Sequence, residues 1–540
     1  MGAMQMPLAR RTFLVGAAAA AAAVRLGLPF GTTRAGAGAP SGPFTLGVAS
    51  GDPLTDRVMI WTRLAVDPID VGATPPETVD VEWTVYADEG LTEVVAAGTS
   101  AAEAEFAHSV HVDVTGLDSA TWYWYQFRAG SAESPVGRTR TAPAAGCADS
   151  VRFGFASCQS FTAGYYAAHR HMANENLDLV FWLGDYIYEG GGSGVRAHNS
   201  GEIMTLSDYR NRYGLYKSDP NLQASHAQFP WFVIWDDHEV ENNYAGEHPE
   251  LSVPSEAFLL RRAAAYRAWW EHQPVRLPVP EGPDLTIYRS FDWGGLASLY
   301  LLDGRQYRNN QACGVEDLSA PCPEWEDPTR SMLGAEQEAW LIGALRASTS
   351  PWNVVANQTV FSPLPLAGLW NMDQWDGYQP SRQRILDVFA EGVPNPIVIT
   401  GDIHAAGIAD ITQDTTDPTK PRLGTELVGT SISSTFPVDL VDLAEGLIAD
   451  LPYIRYVNAR QRGYSVVDLN RQRMQAEYRV LDDVTDPNSQ VATATVYSVD
   501  AVGTATAPET CPVGSDDQGQ GQAPSTGDRS TQPVSPQFTG

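Results

Sequence analysis

Four short segments carry the residue types that bind metal ions, and each follows an apolar run. Cys158 follows Val151–Ala156, and Gly184-Asp185-Tyr186-Ile187-Tyr188 follows Leu177–Leu183. Asp236-Asp237-His238-Glu239 follows Trp231–Trp235, and Gly401-Asp402-Ile403-His404 follows Pro396–Thr400. Short apolar runs bounded by polar turns are the pattern of buried strands. Ligands bind at the strand ends of α/β sheets. A thiol, a phenol, imidazoles and carboxylates thus stand at four places able to converge, which is the pattern of a metal site.

The donors divide by hardness. A phenol keeps its proton up to about pH 10, so Tyr188 needs a strongly Lewis-acidic ion to bind as phenolate. Cys158 must likewise ionise before it can act as a ligand. Thiolate, phenolate and the imidazole of His404 together suit iron(III) better than Mg²⁺ or Ca²⁺, which prefer oxygen. Asp237, Asp402 and the amide of Asn357 are oxygen donors for a hard ion, with Ca²⁺ the first choice. Gln358 is the alternative to Asn357. Asp185 can bridge the two ions. His238 either supports Asp237 or meets substrate; Asp236 and Glu239 can orient these groups. Arg210 and Arg212 either contact a substrate phosphate or form salt bridges on a helix.

These donors need a scaffold, and the sequence outlines one. From residue 43 to 142 short alternating strands such as Arg57–Leu64, Val79–Tyr86, His108–Val114 and Thr121–Phe127 predict a β-sandwich. Core packing of alternate residues accounts for the Trp122-Tyr-Trp-Tyr125 run. An Ala/Pro/Gly linker follows. From 150 to 500 apolar strands alternate with helices, among them Glu256–His272 and Gly334–Ala347, which predicts an α/β layered domain. Trp269 and Trp270 are expected against the sheet. Residues 507–540 form a polar tail rich in Gly, Ser, Gln and Pro.

The chain has 540 residues, a hydrophobic content of 43% and a formal charge of −30. That is enough apolar material for sizeable cores, and the acidity argues against nucleic acid as a partner. Residues 1–39 contain Arg10-Arg11-Thr12-Phe13-Leu14 and seven alanines from Ala17 to Ala23, the pattern of a twin-arginine export signal. No later segment predicts stable membrane insertion. Of five cysteines, Cys313 and Cys322 form the expected disulfide, Cys147 and Cys511 can form a second, and Cys158 is left over.

Gly184-Asp-Tyr-Ile-Tyr188 resembles the Gly-Asp-x-x-Tyr motif of purple acid phosphatases in the metallophosphoesterase superfamily. Asp237-His-Glu239 stands where that superfamily has Asn-His-Glu, and Gly401-Asp-Ile-His404 where it has Gly-His-x-His. The departures are Cys158 for an Asp, Asp237 for the Asn and Asp402 for a His, which is the pattern of the PhoD-like alkaline phosphatase and phosphodiesterase family. Trp235-Asp-Asp-His-Glu-Val-Glu-Asn-Asn-Tyr244, Ala156-Ser-Cys-Gln159, Met332-Leu-Gly-Ala-Glu-Gln337 and Gly47-Val-Ala-Ser-Gly-Asp52 are similar to that family's motifs.

The resemblance implies a four-layer αββα catalytic domain behind an Fn3/Ig-like sandwich. It implies one Fe³⁺ on Cys158, Asp185, Tyr188 and His404, and one or two Ca²⁺ on Asp185, Asp237, Asp402 and Asn357. Two such cations clamp a phosphoryl group and acidify water for in-line attack, while His238 binds phosphate or protonates the leaving group. The implied function is a secreted alkaline phosphatase and phosphodiesterase, exported by the twin-arginine machinery as a monomer to the extracellular or periplasmic–cell-wall space. Its substrate is a phosphate ester: a small molecule, a phospholipid cleaved as by a phospholipase D, or a teichoic acid. Loops Gly190–Ser200 and Trp370–Tyr378 are expected to set the choice. The rival from another class is a non-catalytic, metal-stabilised cell-surface binding protein.

Overall fold

Phe181 and Trp182 are neighbours that face opposite ways, and the two directions define the layers. Phe181 lies 5.1 Å from Phe153 and 5.4 Å from Phe232 (ring centroids), and Phe232 reaches Phe291 of a second sheet at 4.3 Å. Trp182 turns to the other side, stacking on Trp231 at 5.6 Å and on His169 of helix Ala167–Met172 at 5.8 Å. Strands covered on both faces read as continuous apolar runs, because neither face meets water. Phe181→Ala would cost about 3–5 kcal/mol, the typical penalty for emptying such a position.

The computed structural model describes residues 42–250, 253–315, 317–415 and 420–502. The expected export signal and the polar tail fall outside them, as does Cys511, so the second cysteine pairing does too. The first sheet has nine strands in the order Val491–Asp500, Arg473–Leu481, Gly463–Asn470, Ser150–Ala156, Leu179–Leu183, Pro230–Ile234, Val48–Gly51, Arg57–Arg63 and Ser109–Thr115. The second has seven: Arg289–Trp293, Ala297–Leu301, Trp352–Ala356, Pro396–Thr400, Arg422–Val428, Ala406–Thr412 and Ile454–Asn458. Four consecutive strands of the first sheet and four of the second run parallel within their sheets.

Helices cover both outer faces, giving the four-layer αββα arrangement. Helix Leu206–Lys217 starts on a capping box between Thr205 and Asp208, and helix Glu256–His272 on Ser255, which accepts from Phe258 N at 3.1 Å. Such caps satisfy amides that the helix itself leaves unpaired. Trp269 meets Trp235 at 5.0 Å, while Trp270 stacks on His111 of the N-terminal region at 4.4 Å. Over the second sheet, Leu341 and Leu345 of Gly334–Ala347 and Ile385 and Phe389 of Gln379–Ala390 pack on Val355 and Val398.

The N-terminal sandwich is present, with one structural difference from a free-standing module. A five-stranded sheet of Val94–Ala102, Val79–Tyr86, Trp122–Ala129, Ala132–Glu133 and Gly137–Arg140 is its outer half. Val81, Val85, Tyr123, Tyr125 and Phe127 pack there against Val58, Ile60, Val110 and Val114. Those last four belong to strands of the nine-stranded sheet. Ser50 pairs with Pro230 and Gly51 with Trp231 in parallel register, so the two regions share one ladder. An edge strand's unpaired amides and carbonyls are thereby satisfied instead of being left as a template for association. Within the aromatic run only Tyr123 and Tyr125 enter the core; Trp122 and Trp124 are half-buried, and Trp122 carries the Arg138 guanidinium 3.5 Å above its ring.

Cys313 and Cys322 form the expected disulfide, with Cα atoms 5.8 Å apart, and Cys158 is free and buried. Among the described residues no helix is long and apolar enough to cross a membrane.

Candidate metal centre

The ends of the parallel strands of both sheets meet along one edge, and small residues let them close up. Gly184 has φ 109°, and a Cβ there would lie 2.4 Å from Asp236 Cβ. A Cβ on Gly401 would lie 2.6 Å from Ser157 Oγ, so this glycine brings the second sheet's turn against the first. Glu239 then ties two turns together, accepting from the backbone N of Asp185 at 3.0 Å, of Asp236 at 2.7 Å, and of Tyr186. Four of the expected donors sit in the left-handed backbone region: Cys158 (φ 58°), Asp185 (56°), Asp402 (64°) and His404 (58°). Each such residue costs about 1–3 kcal/mol, and strain of this kind gathers at functional sites.

One half of the centre is a mixed donor set. Ligand atoms of Cys158, Asp185 and His404 lie within 4.8 Å of one another. Tyr188 Oη donates to Asp185 Oδ2 at 2.9 Å and lies 3.1 Å from His404 Nε2. His404 Nδ1 donates to the Thr435 carbonyl at 3.2 Å, which leaves Nε2 as the lone pair facing the cluster. Burial pushes the Cys158 thiol and the Tyr188 phenol well above their usual pKa values and pulls His404 down to about 4. The protein alone therefore holds these donors neutral.

The other half is acidic. Asp185, Asp236 and Asp237 offer oxygens within 4.8 Å of one another. Arg305, fully buried, pairs with Asp236 and lies 3.3 Å from Asp237, 2.9 Å from Asp373 and 3.4 Å from Asp402. Burial acts to raise Asp237, yet Arg305 and His238 hold it below the usual carboxylate range. Burial raises Asp185, Asp236 and Asp402. Asp185 Oδ1 and Asp236 Oδ2 are buried without a hydrogen-bond partner among the described residues. An unsatisfied buried oxygen costs about 1–3 kcal/mol, more when charged, so this donor set fits cations that would take up those lone pairs.

Not every expected donor joins these clusters. Asp402 is not one of the tight carboxylate trio of Asp185, Asp236 and Asp237, and it meets the same Arg305 nitrogen, Nη2, as Asp237. Asn357 is engaged elsewhere. Its Oδ1 accepts from Trp375 Nε1 at 3.2 Å and its amide donates to the Thr359 carbonyl, committing it to the packing beneath the second sheet. Gln358 is equally committed: it donates to the carbonyls of Trp235 (2.9 Å) and Leu302 (2.7 Å) and accepts from Gly304 N at 3.0 Å. Arg210 pairs with Glu271, and Arg212 donates to the carbonyls of Tyr188, Gly190 and Gly201, so both arginines are structural.

His238 sits beside the mixed half, its ring 4.2 Å from that of Tyr188. Its Nδ1 donates to Glu189 Oε2 at 2.7 Å, and Glu189 Oε1 accepts from Asn242 N at 2.8 Å. Burial opposes a charge on His238, but Glu189, Asp237 and Asp185 raise its pKa well above the usual value. Sequence reasoning missed Glu189, Arg305 and Ser434. Glu189 directly follows Tyr188, and Arg305 follows Leu299-Tyr-Leu-Leu-Asp-Gly304, another apolar run ending in an Asp-Gly turn. Ser434 carried no signal.

Known proteins resemble the chain along most of its length. Residues 153–478 match the family model described as PhoD-like phosphatase, and residues 31–143 match that of the PhoD-like phosphatase N-terminal domain. Alkaline phosphatase D of Bacillus subtilis (strain 168) is 45% identical over 478 residues, covering 85% of this chain and 82% of the relative. A solved structure titled "Structure of PhoD" superposes with a TM-score of 0.82 at 43% identity, covering 87% of this chain and 94% of the other. With the layered fold, the strand-end donors and these matches in agreement, the chain belongs to the PhoD-like phosphatase family.

Proposed function

We propose that this member of the family, a phosphoric ester hydrolase, is an exported metal-dependent phosphatase and phosphodiesterase with iron(III) and calcium in a shared centre. The observation that carries this reading is the division of donors around Asp185. Thiol, imidazole and a neighbouring phenol make one group with Asp185 and carboxylates make the other, and Asp185 Oδ1 is buried with no hydrogen-bond partner among the described residues. Cys158, Asp185, Tyr188 and His404 would hold iron(III); Asp185, Asp237 and Asp402, with Asp236 close by, would hold calcium. Such a pair of cations, when bound, neutralises phosphoryl oxygens and acidifies water at the site.

The protein's own groups supply orientation and a proton. Arg305 keeps Asp237 ionised and meets Asp402 through the same nitrogen. Glu189 fixes the His238 ring through Nδ1 and favours the imidazolium, so Nε2 also carries a proton. That proton is available to a leaving alkoxide oxygen, the step in which a general acid lowers the barrier of ester cleavage. Gly401 and Gly184 hold the turns close enough for both sheets to contribute.

Hydrolysis of p-nitrophenyl phosphate and of its bis ester by protein with iron and calcium confirmed bound is the direct test. Turnover of both is expected. No turnover of either would overturn the enzyme reading in favour of a metal-stabilised binding protein. Tyr188→Phe should abolish tyrosinate charge-transfer absorption, and calcium chelation should abolish activity reversibly while leaving the colour. Parallel assays with phospholipid vesicles and teichoic acid assign the natural ester. The Arg10-Arg11 signal supports twin-arginine export, which replacement of both arginines by Lys should block.

A further inference from the structure

Ser434 touches two of the proposed iron donors at once. It is 2% exposed and lies in the Ser431–Thr435 turn after strand Arg422–Val428. Its Oγ is 2.7 Å from Tyr188 Oη and 2.9 Å from the Cys158 carbonyl, and accepts from Ser160 N at 3.0 Å. The turn itself is fastened to the Cys158 segment: Ile432 N donates to the Ser157 carbonyl at 3.0 Å and Ser433 Oγ to the Ser160 carbonyl at 2.8 Å. Thr435, at its end, receives the His404 Nδ1 proton.

We propose that Ser434 is the positioning residue of the Tyr188 ligand oxygen, presenting its hydroxyl proton to Tyr188 Oη from the turn that holds the Cys158 segment. This inference rests on the iron–phenolate reading above. A hydroxyl donates to one acceptor at a time. Tyr188 Oη donates to Asp185 Oδ2, and the Ser434 hydroxyl stands in donor position to Tyr188 Oη at 2.7 Å and to the Cys158 carbonyl at 2.9 Å. A Tyr188 oxygen that gives a lone pair to an ion can still accept a hydrogen bond. Among the described residues its polar contacts are Asp185 Oδ2, His404 Nε2 and Ser434 Oγ, and the first two give lone pairs to the ion. Ser434 is the donor that remains. The Cys158 carbonyl does not depend on the Ser434 hydroxyl, because Ser434 N at 3.2 Å and Ser433 N at 3.4 Å also point to it. A hydrogen bond to the phenolate draws electron density from the ligand oxygen and thereby tunes the ion.

Resonance Raman spectroscopy of the iron-loaded protein tests this, read at the phenolate C–O stretch. Tyr188→Phe should remove the ring modes, which establishes their origin. In wild-type protein the C–O stretch should move on transfer to D₂O; Ser434→Ala, with iron content unchanged, should shift it and lose the D₂O sensitivity, and Ser434→Thr should restore both. kcat should fall about fivefold in the alanine variant with KM little changed, the worth of one hydrogen bond. A C–O stretch indifferent to D₂O in wild-type protein overturns the proposal without any variant having to fold. So does an unshifted stretch in Ser434→Ala while Tyr188→Phe abolishes the modes, and that result leaves the iron–phenolate reading standing. Absence of phenolate modes from iron-loaded wild type removes both.

Discussion

The two halves of the centre are neutralised in different ways. Around Cys158, Tyr188 and His404 burial keeps each donor in its uncharged form, and only a bound ion can repay the cost of ionising the thiol and the phenol. Around Asp236, Asp237 and Asp402 the protein already supplies a cation, since the Arg305 guanidinium reaches all three and Asp373 as well. The lesson is one of order. The acidic half is preassembled by an internal ion pair network, whereas the mixed half becomes a set of anions only with its metal. Asp185 belongs to both, and its raised pKa reflects burial among like charges.

The strongest way to break this contrast is to remove the internal cation. Arg305→Met should cost about 3–5 kcal/mol in denaturant unfolding of metal-free protein, because the carboxylates it pairs stay buried. Calcium should recover part of that loss by binding only the folded state. A variant as stable as wild type without metal would show that Arg305 does not hold the acidic half together. Tyr188→Phe, in contrast, should leave metal-free stability within about 1 kcal/mol, since it removes a single hydroxyl.

Glu189→Gln comes next in size. It keeps the shape but removes the charge beside His238, and kcat should fall about 10–100-fold, the usual worth of a group that orients a site residue. An unchanged kcat for esters with a poor leaving group would remove His238 from proton transfer.

The smallest effect lies away from the centre. Burial pulls His111 down to about 4 and His169 to about 3. The unfolded chain takes up protons at these positions near pH 6.5 while the folded chain does not. Stability from this source is therefore full above pH 6.5 and declines as pH falls through 6.5 toward 4, by about 1.4 kcal/mol per pH unit for each histidine. Urea midpoints between pH 8 and 5 check it. His169→Gln should flatten the slope by roughly one proton, and a slope unchanged by that substitution would contradict the assignment.

Much of the site was legible because parallel strands buried on both faces leave continuous apolar runs, and the polar residues that end them are conspicuous. Asp185, Asp237, Asp402 and His404 were marked as candidates in this way, and Cys158 by its place at a strand end together with its lack of a pairing partner. Asn357 stood at such an end too, but Trp375 claims its amide, and that contact joins positions far apart in sequence. Arg305 escaped notice because a cation is not a metal ligand; its meaning comes from four carboxylates gathered around it. Helices Glu256–His272 and Gly334–Ala347 were legible to the residue, since their periodicity is local.

Sequence by itself therefore determined the strand–helix alternation, the donor types and the family, all of which are written in short stretches of chain. Tertiary structure alone decided three things. It merged half of the sandwich into the nine-stranded sheet, because a strand's pattern states which face is buried but not which edge it will pair with. It placed Asp236 rather than Asp402 in the tight carboxylate trio, because Asp402 comes from the second sheet and its distance to the trio depends on how two sheets meet. It also brought Ser434 onto Tyr188 across 246 positions of chain, a contact that no local pattern encodes.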